Sequence, residues 1–222
     1  MQESSLHYDL KLLYCEPGGL LEHSLDGYII DIINENKCIE IQTGNFQALK
    51  PKLAVLLPNH LVKIVYPINK EKWIEKRYPD QPPHIDATRR RSPKKGTIYE
   101  ISKELIFITP FLVHPNFSIE CVFISQLEVQ YANGLGSWRR NGVSILDHKL
   151  EKVFETVDLN KIEDYKILLP PDLPQHFTSK DFSMTANISL SLARKTCYLL
   201  RKLGLVEPIG KINQSLLYQM PK

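Results

Sequence analysis

Two short apolar runs, YIIDII and CIEIQT, are joined by Asn34, Glu35, Asn36 and Lys37. Their β-branched content and the turn-favouring residues between them predict a β-hairpin. Each run also carries polar groups that a buried strand does not need: Asp31 in the first, Glu40 and Gln42 in the second. A period of two puts Glu40 and Gln42 on one face, and the hairpin lets Asp31 converge on them. Carboxylates inside apolar strands constrain the fold more than any other feature of this chain, because a buried charge must be paired or must hold a ligand.

The flanking sequence supplies the rest of a sheet. SLHYDLKLLY has Leu6, Leu10 and Leu13 at helical spacing with Ser5 as a capping residue, and EPGG ends it. GLLEHS predicts a short strand before the hairpin. After Gly44 and Asn45, FQALKPKLAVLLPNH predicts a helix with Phe46, Leu49, Leu53, Leu56 and Leu57 on one face and Pro51 near its start or at a kink. LVKIVYPI predicts a fourth strand. Helix, three strands, helix, strand is the order of an α/β core with a mixed sheet. Residues 70–96 are polar, basic and proline-bearing and predict a mobile surface loop. TIYEISKELIFITPFLVHP predicts a helix, FSIECVFISQLEVQYA a long strand, and VSILDHKLEKVFETV a strand running into more strand or a short helix.

Hard-oxygen chemistry suits the hairpin. Magnesium takes one or two carboxylates together with water and substrate phosphate, and carboxylates on neighbouring strands can hold such an ion beside a scissile phosphate. An Asp, a turn, then Glu-x-Lys on the next strand is the motif of the PD-(D/E)XK nuclease superfamily, which includes restriction endonucleases and archaeal Holliday junction resolvases. Residues 1–68 resemble it in motif and element order. The resemblance implies a restriction endonuclease-like mixed sheet flanked by helices, with Asp31 and Glu40 binding Mg²⁺ or Mn²⁺. It sets Gln42 where the family usually has Lys, and there Gln42 would position water. Glu22 matches an additional acid that some members supply. Members lacking the strand Lys draw one from the following helix, which here offers Lys50 or Lys52, with Lys50 taken into the catalytic set. The competing reading is a pair of strand acids facing solvent on a sheet edge.

Residues 174–222 carry seven Lys/Arg against two acids, which leaves the remainder slightly acidic. Prolines 170, 171 and 174 mark a linker. They divide the chain into residues 1–168 (core 1–68, extension 69–168) and residues 169–222. The second part reads as a short capped helix, a strong helix and a hairpin, and it resembles a winged helix-turn-helix domain. The strong helix has Leu192, Ala193, Thr196, Leu199, Leu200 and Leu203 on its core side, and Gly204 stops it. Its other face carries Arg194, Tyr198 and Arg201, flanked by Lys195 and Lys202, as a recognition helix would. Arg89, Arg90 and Arg91 in RRRSPKK, and Arg139 and Arg140 beside Trp138, are further phosphate-binding candidates.

Other classes find no support. The chain has no GxGxxG, GxxxxGK[ST] or GxSxG, so a nucleotide cofactor or a serine nucleophile is not expected. Its four cysteines form no CxxC pair and read as reduced core thiols. No signal peptide or membrane span is seen, which sets the expectation of a cytoplasmic protein away from membranes. The expected activity is metal-dependent cleavage of DNA, helped by the winged helix and by homodimer formation. The alternatives are an inactive nuclease fold that binds DNA and a module that binds protein. The joining of a nuclease to a winged helix also resembles the plan of some transposon end-cleaving nucleases.

Overall fold

The β2–β3 hairpin lies near one edge of a seven-stranded mixed sheet. The computed structural model of the chain describes residues 4–79, 88–138 and 141–221. Helix α1 (Ser5–Tyr14) begins where the Ser4 side chain accepts the His7 N–H. Strand β1 (Leu20–Leu25) pairs antiparallel with β2 (Tyr28–Asn34), and β2 pairs antiparallel with β3 (Lys37–Ile41). Asp26 and Gly27 both have positive φ, which a two-residue hairpin turn demands. A 3₁₀ turn (Phe46–Leu49) leads into α2 (Lys50–Leu56), with Pro51 in the first turn, where its missing N–H costs nothing.

Strand β4 (Leu61–Arg77) runs parallel to β3, then along β6 (Phe117–Tyr131), also in parallel. Strand β7 (Ser144–Leu159) closes the sheet antiparallel to β6. Strand β5 (Thr88–Arg91) pairs with β4 from Trp73 to Lys76, beyond the point where β3 has ended. The strand order is β1-β2-β3-β4-β6-β7, with β5 attached to β4. Of the loop expected at residues 70–96, residues 70–77 and 88–91 are strand, and residues 80–87 lie outside the described residues. The alternation of Trp73, Ile74 and Glu75 continues β4, and Arg89, Arg90 and Arg91 sit on its partner strand. The expected helix after Thr97 is broken into a 3₁₀ turn (Ile98–Ile101), a one-turn helix α3 (Ser102–Leu105) and a 3₁₀ turn (Thr109–Phe111). Pro110 interrupts any longer helix.

Both sheet faces are covered. On one, Leu6 and Leu10 of α1 pack on Ile32, Ile39, Ile41, Val65, Val122 and Ile124. On the other, a larger core takes in Phe46, Leu53, Ile64, Leu105 and Ile119. Each such side chain contributes about 1.5–3 kcal/mol by leaving water.

The C-terminal segment shares that larger core. After a 3₁₀ stretch (Ile162–Leu168) come β8 (His176–Thr178), α4 (Ser179–Thr185), α5 (Leu190–Lys202), β9 (Glu207–Ile212) and β10 (Ser215–Gln219). The last strands form a three-stranded sheet in the order β8-β10-β9. Thr178 and Asp181 make a reciprocal cap on α4, and Ser189 caps α5. Gly204, at φ +72°, ends α5, with its own N–H and that of Leu205 donated back to Arg201 and Leu200. Phe177, Phe182, Ala193 and Leu200 pack in the same cluster as the sheet residues. The fully buried Thr196 hydroxyl contacts Ser102 Oγ at 3.1 Å and the Leu192 carbonyl at 3.1 Å. Thr196→Val should cost about 1–3 kcal/mol, because it strands the Ser102 hydroxyl. The double variant with Ser102→Ala should cost less than the sum of the singles in urea unfolding.

Candidate functional site

The β2–β3 ladder runs only from Asn34↔Lys37 to Ile32↔Ile39. Beyond it, side chains replace backbone partners. The Ile41 N–H donates to Asp31 Oδ2 at 2.8 Å, and the Asp31 N–H lies 3.4 Å from Glu40 Oε1. Opposite Asp31 on β1, Glu22 is bulged out at φ +49°, between the pairs Leu21↔Ile32 and His23↔Ile30. The hairpin therefore opens at the level of its two acids and turns both into the opening.

Each acid meets a basic side chain carried by a helix. His7 Nε2 of α1 lies 3.1 Å from Asp31 Oδ2 and 2.8 Å from the Ile41 carbonyl. Lys52 of α2 donates to Glu40 Oε1 at 2.5 Å and to the Ile29 carbonyl at 2.6 Å. Glu40 is 5% exposed. Burial pushes Asp31 upward, but the His7 hydrogen bond, the Ile41 N–H and the nearby charges hold it below the ordinary carboxylate range. Burial, reinforced by the Asp31 charge, pushes Glu40 above that range against the pull of Lys52. Two carboxylates whose environments push their proton affinities apart are typical of sites that handle protons or charge.

The sequence-predicted residues divide into those that converge and those that do not. Asp31 and Glu40 come together. Gln42 follows immediately on the strand, with its amide nitrogen donated to the Gly44 carbonyl. Lys50 is exposed, and Lys52, not Lys50, is the lysine at the acids. Glu22 is exposed and pairs with the buried Lys11 at 2.5 Å. His7 was not among the expected site residues, because isolated histidines show no ligand spacing. The helical phase of Leu6 and Leu10 places it on the flank of the buried stripe. Lys52 also follows from phase, lying three residues after Leu49 and four before Leu56.

The basic candidates also separate. Arg89 binds both Glu151 carboxylate oxygens, at 2.8 and 3.0 Å, and stacks over Trp73; Arg91 pairs with Glu71. Arg90 is exposed and lines a cavity of about 520 Å³ with Lys76, Thr88 and Gln130. Arg139 and Arg140 lie outside the described residues, and Trp138 is 81% exposed. On α5, Arg194, Tyr198 and Lys202 are exposed and Lys195 and Arg201 half-buried, with the Arg201 and Lys202 cations 5.6 and 5.7 Å from the Tyr198 ring centre. Cys38, Cys121 and Cys197 are buried free thiols, and Cys15 is half-buried. Among the described residues no helix is long and apolar enough to cross a membrane.

The family described as Domain of unknown function (DUF8091) matches residues 4–160. The chain belongs to that family. The DUF8091 match spans α1 to β7, and so includes His7, Asp31, Glu40 and Lys52. A protein of Treponema pallidum (strain Nichols), described as an uncharacterized protein, is 27% identical over 219 residues, which is 98% of this chain and 85% of that protein. That similarity runs through the C-terminal segment as well. No solved structure matches the chain.

The opposed acids predict opposed pH behaviour. Asp31, lower in the folded state than unfolded, contributes stability above its unfolded pKa that is lost as pH falls through the folded one. Glu40, raised in the folded state, favours folding when protonated and costs stability as pH rises past its unfolded value. Lys52→Met removes the cation bonded to Glu40 and should raise Glu40 further. The variant should lose about 3 kcal/mol near pH 7–8. Part of that loss should return on acidification, as read by chemical denaturation across pH.

Proposed function

We propose that this protein is a metal-dependent nuclease that hydrolyses phosphodiester bonds in DNA. The observation that carries the reading is the opening of the β2–β3 ladder, which collects Asp31, Glu40 and Lys52 in one place. The β2–β3 hairpin leading into parallel β4 and β6, with α1 and α2 on opposite faces, supports a PD-(D/E)XK-like architecture. Lys52, arriving from the following helix, takes the place of the strand lysine that Gln42 replaces.

The donor set suits a hard cation. Asp31, Glu40 and the Ile41 carbonyl offer oxygens only, and His7 Nε2 already places a nitrogen between Asp31 and Ile41 O. Among the described residues no three His, Cys, Asp or Glu side chains group as a metal site. It is the oxygen donors that suit Mg²⁺ or Mn²⁺, which retain water and substrate phosphate. When bound, such an ion polarises the phosphoryl oxygen and lowers the pKa of water. Asp31 and Glu40 would hold it. Lys52 would offer positive charge to the oxygens of the pentacoordinate transition state. His7 orients Asp31 from the opposite helix. Gln42, bonded to Gly44, steadies the turn that follows the site.

The three-stranded β8-β10-β9 sheet beneath α4 and α5 supports a winged-helix reading, with the α5 basic-aromatic face against the duplex. Arg194→Ala with Arg201→Ala should weaken DNA binding and lower the salt slope of log K by about two. Cleavage of linear, supercoiled and branched DNA with Mg²⁺ or Mn²⁺ tests the activity. Glu40→Gln and Asp31→Asn should each lose about a hundredfold or more in rate while retaining DNA binding. A second reading has its own support: both acids are already bonded to basic side chains of the protein, as in a nuclease fold kept only for binding. Tight, metal-independent binding with no cleavage of any substrate would establish that reading and end the catalytic one.

A further inference from the structure

Strand β3 ends two residues before Thr43, while β4 runs on, and β5 rejoins β4 only at Trp73. The edge of β4 is therefore uncovered by strand between Tyr66 and Lys72. Val65 O and Asn69 O point toward this gap, accepting from the Gln42 and Gly96 N–H groups, so Pro67 between them turns its donorless nitrogen the same way. Gly96 closes part of the gap; a Cβ there would come within 2.8 Å of Asn69 O.

Two cavities flank this gap and share Thr43, Pro67, Asn69 and Lys72. One, of about 180 Å³, adds Lys94, Gly96 and Glu100. The other, of about 210 Å³, adds Ser4, Leu6, Gln126 and His148. The charged groups around them are Lys72, bonded 2.5 Å from Glu128, exposed Lys94, and Glu100, paired with Lys103. The His148 ring lies against Gln126 and 3.9 Å from Glu128. Asn69 Oδ1 is buried in this wall with no hydrogen-bond partner among the described residues. A buried amide end without a partner costs stability; the residue that carries it lines two polar cavities at the carboxyl end of β3, where open α/β sheets bind ligands. Ser4 is one turn before His7, and Thr43 is two residues past Ile41, a span of about 7 Å in extended chain.

We propose that these adjoining cavities receive one nucleotide of the bound strand, next to the Asp31–Glu40 site. Its phosphate lies toward Lys72 and Lys94, and its unstacked base lies against the Asn69 and Gln126 amides. The proposal rests on the nucleic-acid reading above and makes the substrate a strand with an unpaired segment.

The test is equilibrium binding of a single-stranded hexadeoxynucleotide carrying one 2-aminopurine, in EDTA so that nothing is cut. Saturable brightening is expected with the wild-type chain, reversed by a deoxynucleoside monophosphate but not by equal inorganic phosphate. Asn69→Leu should weaken binding about tenfold, and Thr43→Val should weaken it less. Thermal melting of Asn69→Leu should stay level or rise, because an unpartnered amide is replaced by hydrocarbon. No brightening, equal displacement by inorganic phosphate, or an Asn69→Leu chain that melts lower yet binds normally would each overturn the proposal. Binding without Mg²⁺-dependent cleavage would retire the nuclease and keep the nucleotide pocket. Cleavage and binding both untouched by Asn69→Leu would do the reverse.

Discussion

The placement of the site depends on where one hydrogen-bond ladder stops. Beyond Ile32↔Ile39, β3 leaves β2 and stays with β4, to which it is bonded in parallel through Ile41↔Val65. An N–H freed by that parting must find an acceptor, since a buried donor without one is costly. Asp31 supplies it for Ile41. The same carboxylate is thereby fixed in orientation, and its neighbour Glu40 is turned toward the Asp31 N–H. An acid that mends a broken ladder cannot rotate away, so the opening is both structural and chemically preorganised.

The basic side chains that meet these acids come from opposite faces of the sheet. Leu6 and Leu10 seat α1 on one side and thereby aim His7; Leu49, Leu53 and Leu56 seat α2 on the other and aim Lys52. Neither contact is local in sequence, and each is set by hydrophobic packing rather than by charge. The ion pairs are a consequence of where the helices dock, and the docking is over-determined by apolar burial. The C-terminal segment is tied to the same framework, because α5 rests on α3 through Thr196 and Ser102 while its opposite face stays basic and open.

Much of this was legible in the residues. The hairpin around Asn34 to Lys37, the α2 stripe and the buried side of α5 lie where the residue spacing placed them; in α1 Leu6 and Leu10 are buried as spaced, but Leu13 is 58% exposed. Short-range polarity misled in two places. Residues 70–96 look like a loop because Lys, Glu and Arg face solvent on the β4–β5 ribbon, where outward-facing charge is compatible with strand pairing. The segment after Thr97 has helical composition, but Pro110 divides it. At the site, Asp31 and Glu40 were visible as acids out of place in apolar strands. Helical phase put His7 and Lys52 beside the buried stripes, but their pairing with the acids arises only when two helices meet across the sheet.

Stability alone gives no reason for this arrangement. Glu40 is nearly sealed from solvent and is held above its ordinary proton affinity, so keeping it ionised opposes folding. An apolar residue at that position would join Cys38 and Ile64 without the desolvation, and buried ion pairs replaced by hydrocarbon are often neutral or stabilising. Asn69 repeats the pattern, with a buried amide end left unpartnered beside a cavity. Glu120 and Glu128 are likewise buried and paired with lysines, and the Tyr165 hydroxyl is likewise buried without a partner among the described residues, so what sets Glu40 and Asn69 apart is that both lie at the same end of β3. On the proposed reading the acids and the amide share one surface, with the end of β3 as its centre.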